Sequence, residues 1–368
     1  MPMPTPLQQV DRTYVLYKGR RLSYFAGCDY FRMASHPEVL KVMQTGLKKY
    51  GLNVSASRLT TGNHPIYELL EKRLARFFGV ESATLASSGY APNLMVAQAL
   101  AGKFSHALID ERAHGCLMDA AQLLACPIVS FKHRDPEDLA HVVKRLGPIK
   151  PLVLTDGMFS HDGGIAPIKK YLAVLPRNAT VLLDDAHGVG VLGKRGRGTL
   201  EHEDVPSKRI IQTITLSKAF GVYGGAVLGS KKLRAAIIAR SRIFVGNTPL
   251  PPPLAAAAMQ SLEILKTDPY LRARLRENTS YVKTKLRAAG FALPDSPAPI
   301  IPLIPQTPTE ASQLRRRLLA DSIHPPFIKY PGGPKSGYFR FVISSEHTRA
   351  QLDALTHALI SWKTSSKP

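Results

Sequence analysis

The chain has 368 residues, 44% of them hydrophobic, and carries a formal net charge of +22 at pH 7. This size allows a large core and favours one large domain plus a smaller one, and the aperiodic glycine and proline usage excludes collagen-like and wholly disordered classes. We expect no membrane helix and no signal peptide, because no apolar stretch reaches the roughly 18 residues required and the N-terminus lacks an apolar core region. Three cysteines cannot form a disulfide framework, so a cytoplasmic location is expected.

The excess of basic residues has two possible interpretations. It could serve a polyanionic partner, such as nucleic acid, a CoA-type phosphate ester or an acidic carrier protein. The basic residues are spread along the chain, however, and no DNA-binding motif is visible. A generally basic surface is therefore favoured, and nucleic-acid binding is not expected.

The first half of the chain predicts helices and short strands around a buried sheet. A Pro-rich tail (1–10) precedes short strands near 14–17 and 22–25, and helices begin near Pro37 and at Pro65. Seven short strands, apolar on both faces, then alternate with helical patterns. They are 83–86, 107–109, 128–131, 152–155, 181–183, 210–214 and 226–229. This pattern predicts an α/β fold with a doubly wound, mostly parallel sheet of seven strands.

A proline cluster at 249–253 interrupts this alternation. Beyond it the pattern predicts helices and strands of a compact α+β domain. The helices span about 254–267, 270–289, 309–320 and 347–362, and the strands span 300–303 and 339–343. We therefore predict an N-terminal segment (1–45), a large α/β domain that binds the cofactor (46–250) and a smaller C-terminal domain (251–368).

The most informative side chains follow two of the predicted strands, where functional groups gather in parallel sheets. Asp184 and His187 lie in DDAHG after one strand, and Lys218 lies in TLSKAFG after the next. A pyridoxal phosphate (PLP) site needs a lysine for the Schiff base and an acid that keeps the pyridine nitrogen protonated. Asp184 and His187 alone would more often form a salt-bridged strand end or part of a metal site. The lysine after the next strand favours PLP, with His187 at the ring hydroxyl.

Other segments could complete or contradict such a site. The turn SSGYAPN (87–93) opens a helix and could hold a phosphate through backbone N–H groups, although an ordinary turn has the same composition. His114 could stack on a planar cofactor or be purely structural. GVGVLG (188–193) has the spacing of a dinucleotide fingerprint, but no helix is predicted after it, which disfavours NAD. No recognised metal-ligand spacing is present, so no metal is predicted.

Five motifs together resemble the α-oxoamine synthase family of fold-type I PLP enzymes. They are SGYAPN (88–93), DERAH (110–114), DGMFSHDG (156–163), DDAHG (184–188) and TLSKAFG (215–221). The similarity runs from about residue 20 to the C-terminus. It is strongest to the family members 8-amino-7-oxononanoate synthase and glycine C-acetyltransferase.

The resemblance implies a role for each matched position. Lys218 would form the Schiff base and act as the base, Asp184 would pair with the pyridinium nitrogen, and His114 would stack on the ring and contact substrate. The implied cofactor-binding residues are Ser88, Gly89, Tyr90, His114, Ser160, Asp184, His187, Thr215, Lys218 and Thr248. Arg340 would bind the amino-acid carboxylate. Thr248, with Asn247, would reach the phosphate of the neighbouring subunit, which implies a homodimer with shared sites.

The implied reaction condenses a small amino acid with an acyl-CoA or acyl-carrier thioester, with decarboxylation, to an α-aminoketone. Gly89 favours alanine and a pimeloyl-type donor, as in biotin biosynthesis, and glycine C-acetyltransferase is the nearest alternative. An aminotransferase, an aldolase-type lyase or a non-catalytic basic binding protein also remains open. The sequence departs from the family pattern at 28–32, at 53–62, at Tyr67 and at Asp156, and these positions mostly surround the substrates.

Overall fold

The computed structural model describes residues 5–329 and 333–365. The chain forms two compact units. The larger unit comprises His36–Phe159 and Ile165–Asp268, and the smaller comprises Ser160–Gly164 with the described parts of 1–35 and 269–368. Among the helices of the described residues, none combines the length and the apolar character required to cross a membrane.

A seven-stranded sheet lies at the centre of the larger unit. Its strands are β4 (Ser82–Ala86), β5 (His106–Asp110), β6 (Ile128–Phe131), β7 (Pro151–Asp156), β8 (Thr180–Asp184), β9 (Ile210–Thr215) and β10 (Gly225–Gly229). Their spatial order is β4-β10-β9-β8-β7-β5-β6. All neighbours pair in parallel except β10, which is antiparallel to both β4 and β9. The predicted doubly wound, mostly parallel sheet is confirmed.

Helices cover both faces of this sheet. They are α1 (Pro37–Tyr50), α2 (Pro65–Phe78), α3 (Ala91–Leu100), α4 (Gly115–Gln122), α5 (Pro136–Leu146), α6 (Ile168–Val174), α7 (Thr199–His202), α8 (Lys231–Arg240), α9 (Arg242–Val245) and α10 (Pro252–Thr267). On β7, Leu152 and Leu154 pack in the core cluster that includes α3, α4 and α8, while Val153 packs in the cluster that includes α5 and α6. Burial on both faces explains why these strands are apolar without alternation.

Within the described residues, the smaller unit contains two three-stranded sheets and three α-helices. Its elements are β1 (Gln8–Asp11), β2 (Tyr14–Tyr17), β3 (Arg20–Ser23), α11 (Pro269–Ala288), β11 (Ile300–Leu303), α12 (Pro308–Ala320), β12 (Phe327–Ile328), β13 (Tyr338–Val342) and α13 (Arg349–Ser365). The sheets have the orders β1-β2-β3 and β11-β13-β12. The predicted C-terminal helices and strands are therefore present, and β1 begins inside the segment predicted to be a tail.

The two units divide the chain at different residues from the predicted domains. Helix α10 belongs to the larger unit rather than to residues 251–368, because it packs on α1: a Cβ on Gly46 would lie 3.1 Å from the Cα of Pro253. The proline cluster thus starts a helix of the larger unit, since proline fits a first helical turn. The described residues up to Ser35 belong with the C-terminal residues, because Phe25 packs in the same core cluster as Phe339.

Candidate active site

The carboxyl ends of β7, β8 and β9 bring acidic side chains to one edge of the sheet. Asp156 ends β7 and Asp184 ends β8, and these two residues are partners in the parallel pairing. Both are buried, and Lys218, which follows β9, is half-buried. Lys218 lowers the pKa of both His114 and Asp156, two residues of this edge. The acid that the sequence singled out therefore ends β8, and the lysine follows the neighbouring strand β9.

Three donors hold the carboxylate of Asp184. The Asn93 amide donates to Oδ2 at 2.8 Å, the Cys116 thiol donates to the same oxygen at 3.2 Å, and the Ala186 backbone N–H donates to Oδ1 at 3.1 Å. Thr213 fixes the orientation of Asn93, because its hydroxyl donates to the amide oxygen at 2.7 Å. These hydrogen bonds replace the hydration that the buried carboxylate loses.

His114 joins the first turn of α4 to the same edge. Its backbone N–H donates to Asp156 Oδ2 at 2.8 Å, and its ring Nδ1 accepts from the backbone N–H of Cys116 at 3.2 Å. Burial lowers the pKa of His114, Lys218 lowers it further, and Asp184 opposes both. The imidazole is therefore biased toward its neutral form, in which Nδ1 is a hydrogen-bond acceptor.

Two neighbours of Asp184 are biased toward their protonated forms. Burial, assisted by the adjacent Asp184 carboxylate, raises the pKa of Asp156 well above its ordinary value, against opposing effects of the His114 backbone N–H and of Lys218. Burial and the two carboxylates likewise raise the pKa of the Cys116 thiol. His114, Cys116 and Asp184 also offer three possible metal-ligand atoms within 4.8 Å of one another, a grouping that sequence spacing did not reveal.

A tight turn lies between β4 and the N-terminus of α3. The Ser88 hydroxyl accepts from the Ala91 backbone N–H at 3.4 Å, and a Cβ placed on Gly89 would lie 2.7 Å from the Cβ of Thr215. Thr215 Oγ1 accepts from the Ser217 N–H at 3.1 Å. The structure thus brings Ser88, Gly89 and Thr215 together at a helix N-terminus, the kind of place that binds phosphate groups.

Tyr90 completes this turn and extends it toward His114. Its hydroxyl donates to the carboxylate of Asp119, and its ring lies edge-on to the His114 ring with centroids 6.1 Å apart. The turn and the acid edge are therefore neighbouring parts of one region of the larger unit.

We predict that Gly89→Ala weakens PLP binding by at least about tenfold, because the added methyl group would overlap Thr215 and displace the turn. Gly115→Ala is the matched control, since a Cβ there would meet only the Tyr90 hydroxyl oxygen at 3.8 Å. Equilibrium titration of cofactor-free protein with PLP measures both variants. Equal affinities of Gly89→Ala and the unsubstituted protein would contradict the steric argument.

Asp185 is a buried anion that sequence reasoning did not single out. Its carboxylate accepts from the Thr199 N–H and hydroxyl, both at 2.7 Å, and from the Gln212 amide at 2.8 Å. Gly188 and Gly198 pack so closely on this carboxylate that neither position has space for a Cβ. Close packing on Asp185 therefore explains Gly188, the first glycine of the run at 188–193. The prediction that no helix follows this run directly is confirmed, because residues 194–198 are not helical.

Burial raises the pKa of Asp185 from 3.8 to about 6, against its hydrogen bonds to Thr199 and Gln212. The folded protein then binds this proton more tightly than the unfolded chain. The resulting stability is fully present below the unfolded pKa and is lost as the pH rises through about 6.

We predict that Asp185→Asn removes this pH dependence and still folds. The amide oxygen can accept from the Thr199 N–H and Gln212, and the amide nitrogen can donate to the Thr199 hydroxyl. Relative to the variant, the original protein should lose about 3 kcal/mol of unfolding free energy between about pH 4 and about pH 7. Urea unfolding across this range measures the difference, and parallel curves for the two proteins would contradict it.

The remaining predicted site residues are divided between the units. His187 is buried in the larger unit, and Thr248 is exposed beside Asn247, whose amide donates to the Ser87 hydroxyl at 2.6 Å. Ser160 and Arg340 belong to the smaller unit, where the Arg340 guanidinium donates to the Ser160 carbonyl at 3.1 Å.

Sequence reasoning missed three residues that contact Asp184 or its partners: Asn93, Cys116 and Thr213. Asn93 ends the motif SGYAPN (88–93), and Cys116 lies two residues after the motif DERAH (110–114). A polar residue in the first turn of a buried helix was the sequence signal that could have identified both. Thr213 lies within an apolar strand, and nothing local distinguishes it from a residue that supports the sheet.

Comparison with known proteins gives consistent matches over nearly the whole chain. The family model for class I and II aminotransferases matches residues 27–359. The 8-amino-7-oxononanoate synthase of Thioalkalivibrio sulfidiphilus is 37% identical over 359 residues, covering 96% of this chain and 90% of that protein. The enzyme of that name from Methylococcus capsulatus is 36% identical over 355 residues, covering 94% of this chain and 90% of that protein.

Two solved structures extend the comparison. A serine palmitoyltransferase from S. paucimobilis with bound PLP–myriocin has a TM-score of 0.92 and 28% identity, covering 98% of this chain and 93% of that one. An 8-amino-7-oxononanoate synthase from Francisella tularensis has a TM-score of 0.81 and 26% identity, covering 94% of this chain and 98% of that one.

Proposed function

Because this chain belongs to the α-oxoamine synthase family, within the class I and II aminotransferases, we propose that it joins a small amino acid to an acyl thioester with loss of carbon dioxide. Enzymes of this family are fold-type I proteins that use PLP. The observation that supports the proposal is the position of Asp184 at the end of β8 and of Lys218 just after β9, its parallel neighbour in the sheet.

The residues of the larger unit fit PLP as a ligand. The primary amine of Lys218 would bond to the aldehyde, the carboxylate of Asp184 would pair with the ring nitrogen, and His187 would meet the ring hydroxyl. The cradle of Gly89 against Thr215, at the N-terminus of α3, suits the phosphate. When bound, PLP supplies an electron sink for the negative charge that develops at the amino-acid Cα.

The protein's own side chains would have distinct roles in this reaction. Lys218 Nζ would take the proton from the amino-acid Cα, and Asp184 would hold a proton at the ring nitrogen. His114, biased toward its neutral form, would cover one face of the ring without adding positive charge. Arg340 would bind the carboxylate of the amino acid, with Ser160 beside it.

The condensation forms a bond between the amino-acid Cα and the acyl carbon. The thioester C–S bond breaks, the carboxylate leaves as carbon dioxide, and the products are an α-aminoketone and a free thiol. We favour alanine and a pimeloyl-type thioester, because relatives that match this chain across 90% of their own length are 8-amino-7-oxononanoate synthases. The net charge of +22 would assist binding of a thioester that carries phosphates.

We predict that the PLP-loaded protein releases free thiol fastest with alanine and pimeloyl-CoA or a pimeloyl carrier. The assay crosses alanine, glycine and serine with pimeloyl, acetyl and palmitoyl thioesters. Lys218→Ala should reduce the rate on the order of a thousandfold, because it removes both the cofactor bond and the base. Lys208→Ala is the control, since Lys208 is an exposed lysine just before β9.

Three results would redirect this assignment. Preferential use of glycine with acetyl-CoA would identify a glycine C-acetyltransferase, and serine with palmitoyl-CoA would identify a serine palmitoyltransferase. Amino transfer to a keto acid without any thioester would contradict the condensation itself.

We also propose a homodimer with shared sites in the cytoplasm. The larger unit has exposed apolar side chains at Leu59 and Val245, and the segments that carry them are in contact, because the Ser57 hydroxyl donates to the Val245 carbonyl at 2.5 Å. Contiguous exposed apolar surface commonly marks a protein interface. The three cysteines are free thiols, which fits a reducing compartment.

We predict that the protein sediments as a dimer and that a Leu59→Asp, Val245→Asp double variant sediments as a monomer with weakened PLP binding. Charges in a buried apolar interface would be desolvated without a partner. Ile304→Asp, at a similarly exposed apolar residue of the smaller unit, should leave the dimer intact. A monomeric protein with full activity would refute the shared-site dimer.

A further inference from the structure

Cys116 contacts three polar groups of the candidate site. Its sulfur lies 3.2 Å from Asp184 Oδ2, accepts from the Asn93 amide at 3.2 Å and lies 2.9 Å from His114 Nδ1. The residue is 1% exposed and stands in the first turn of α4. The thiol is thus enclosed by groups that the proposed chemistry uses, although it has no place in that chemistry so far.

The hydrogen-bond pattern determines what the thiol can do. His114 Nδ1 accepts from the Cys116 backbone N–H, so this nitrogen carries no proton. The Asn93 amide already donates to the sulfur and to Asp184. The thiol proton has two acceptors within reach, His114 Nδ1 at 2.9 Å and Asp184 Oδ2 at 3.2 Å. Hydrogen bonds to a charged acceptor are stronger than those to a neutral one, so the thiol donates to Asp184.

We propose that Cys116 is a positioning residue for the cofactor: its thiol, with the Asn93 amide, fixes the carboxylate of Asp184 toward the ring nitrogen of PLP. This inference rests on the proposed function, because it takes PLP as the ligand that Asp184 meets. Two donors converge on Oδ2 while the Ala186 N–H holds Oδ1, so the carboxylate cannot rotate freely. Such support of a ligand-binding group commonly sets how well it is oriented.

The effect should pass through one atom of the cofactor, the ring nitrogen. A PLP analogue with carbon in place of that nitrogen keeps the aldehyde and the phosphate but cannot pair with Asp184. Comparing PLP with this analogue therefore separates positioning of Asp184 from general packing of α4 against the sheet.

The experiment titrates cofactor-free protein with PLP and with the analogue, following the visible absorption of the lysine-bound ligand. We expect Cys116→Ala to bind PLP about tenfold more weakly, because it removes a weak hydrogen-bond donor to a charged group. The same variant should bind the analogue with the affinity of the original protein. Cys116→Ser keeps a donor and should stay within about twofold for both ligands. Cys126→Ala, at the half-buried cysteine after α4, is the matched control and should change neither.

Two outcomes would overturn the inference: unchanged PLP affinity in Cys116→Ala, or equal weakening for PLP and the analogue. If the alanine variant does not fold, Cys116→Val supplies the same comparison, because it fills the space without a donor. An Asp184→Asn background should abolish the difference between cysteine and alanine at position 116. Failure of the original protein to take up PLP would instead contradict the proposed function, so the two failures are distinguishable.

Discussion

Buried carboxylates at the carboxyl end of a parallel sheet are the constraint around which this site is built. Asp156, Asp184 and Asp185 lie at the ends of two adjacent strands, all 5% exposed or less. Removing a carboxylate from water is costly unless donors replace the lost hydration. Each of these acids accepts from at least one backbone N–H, and Asp184 and Asp185 also accept from side-chain donors. Much of the local structure exists to provide those donors.

The donors also connect elements that the chain order keeps apart. The bond from the His114 N–H to Asp156 ties α4 to β7, and the bonds of Asn93 tie α3 to both β8 and β9. The glycine positions around Asp185 let the backbone close over its carboxylate. Because these groups are fixed by one another, the edge of the sheet is organised by the protein itself. A ligand that binds there does not have to order them, which preserves binding free energy.

The sequence predicted the parts of this site that follow from local pattern. Strands that are buried on both faces appear in the sequence as uninterrupted apolar runs. Polar residues just after such runs mark the active edge of the sheet, and this pattern identified Asp184 and Lys218. The partners of Asp184 could not be predicted in this way, because Asn93 is 91 residues and Cys116 is 68 residues away along the chain. The limits of the two units were also missed, since they depend on packing of α10 against α1 rather than on the proline cluster.

Two of the three acids at this edge have raised pKa values. Burial lifts the pKa of Asp185 to about 6 and raises the pKa of Asp156 well above its ordinary value, so both acids favour an added proton. A negative charge nearby raises the pKa of any neighbouring basic group. A ring nitrogen that meets Asp184 would therefore be held in its protonated form by the carboxylate of Asp184, not by a protonated Asp156.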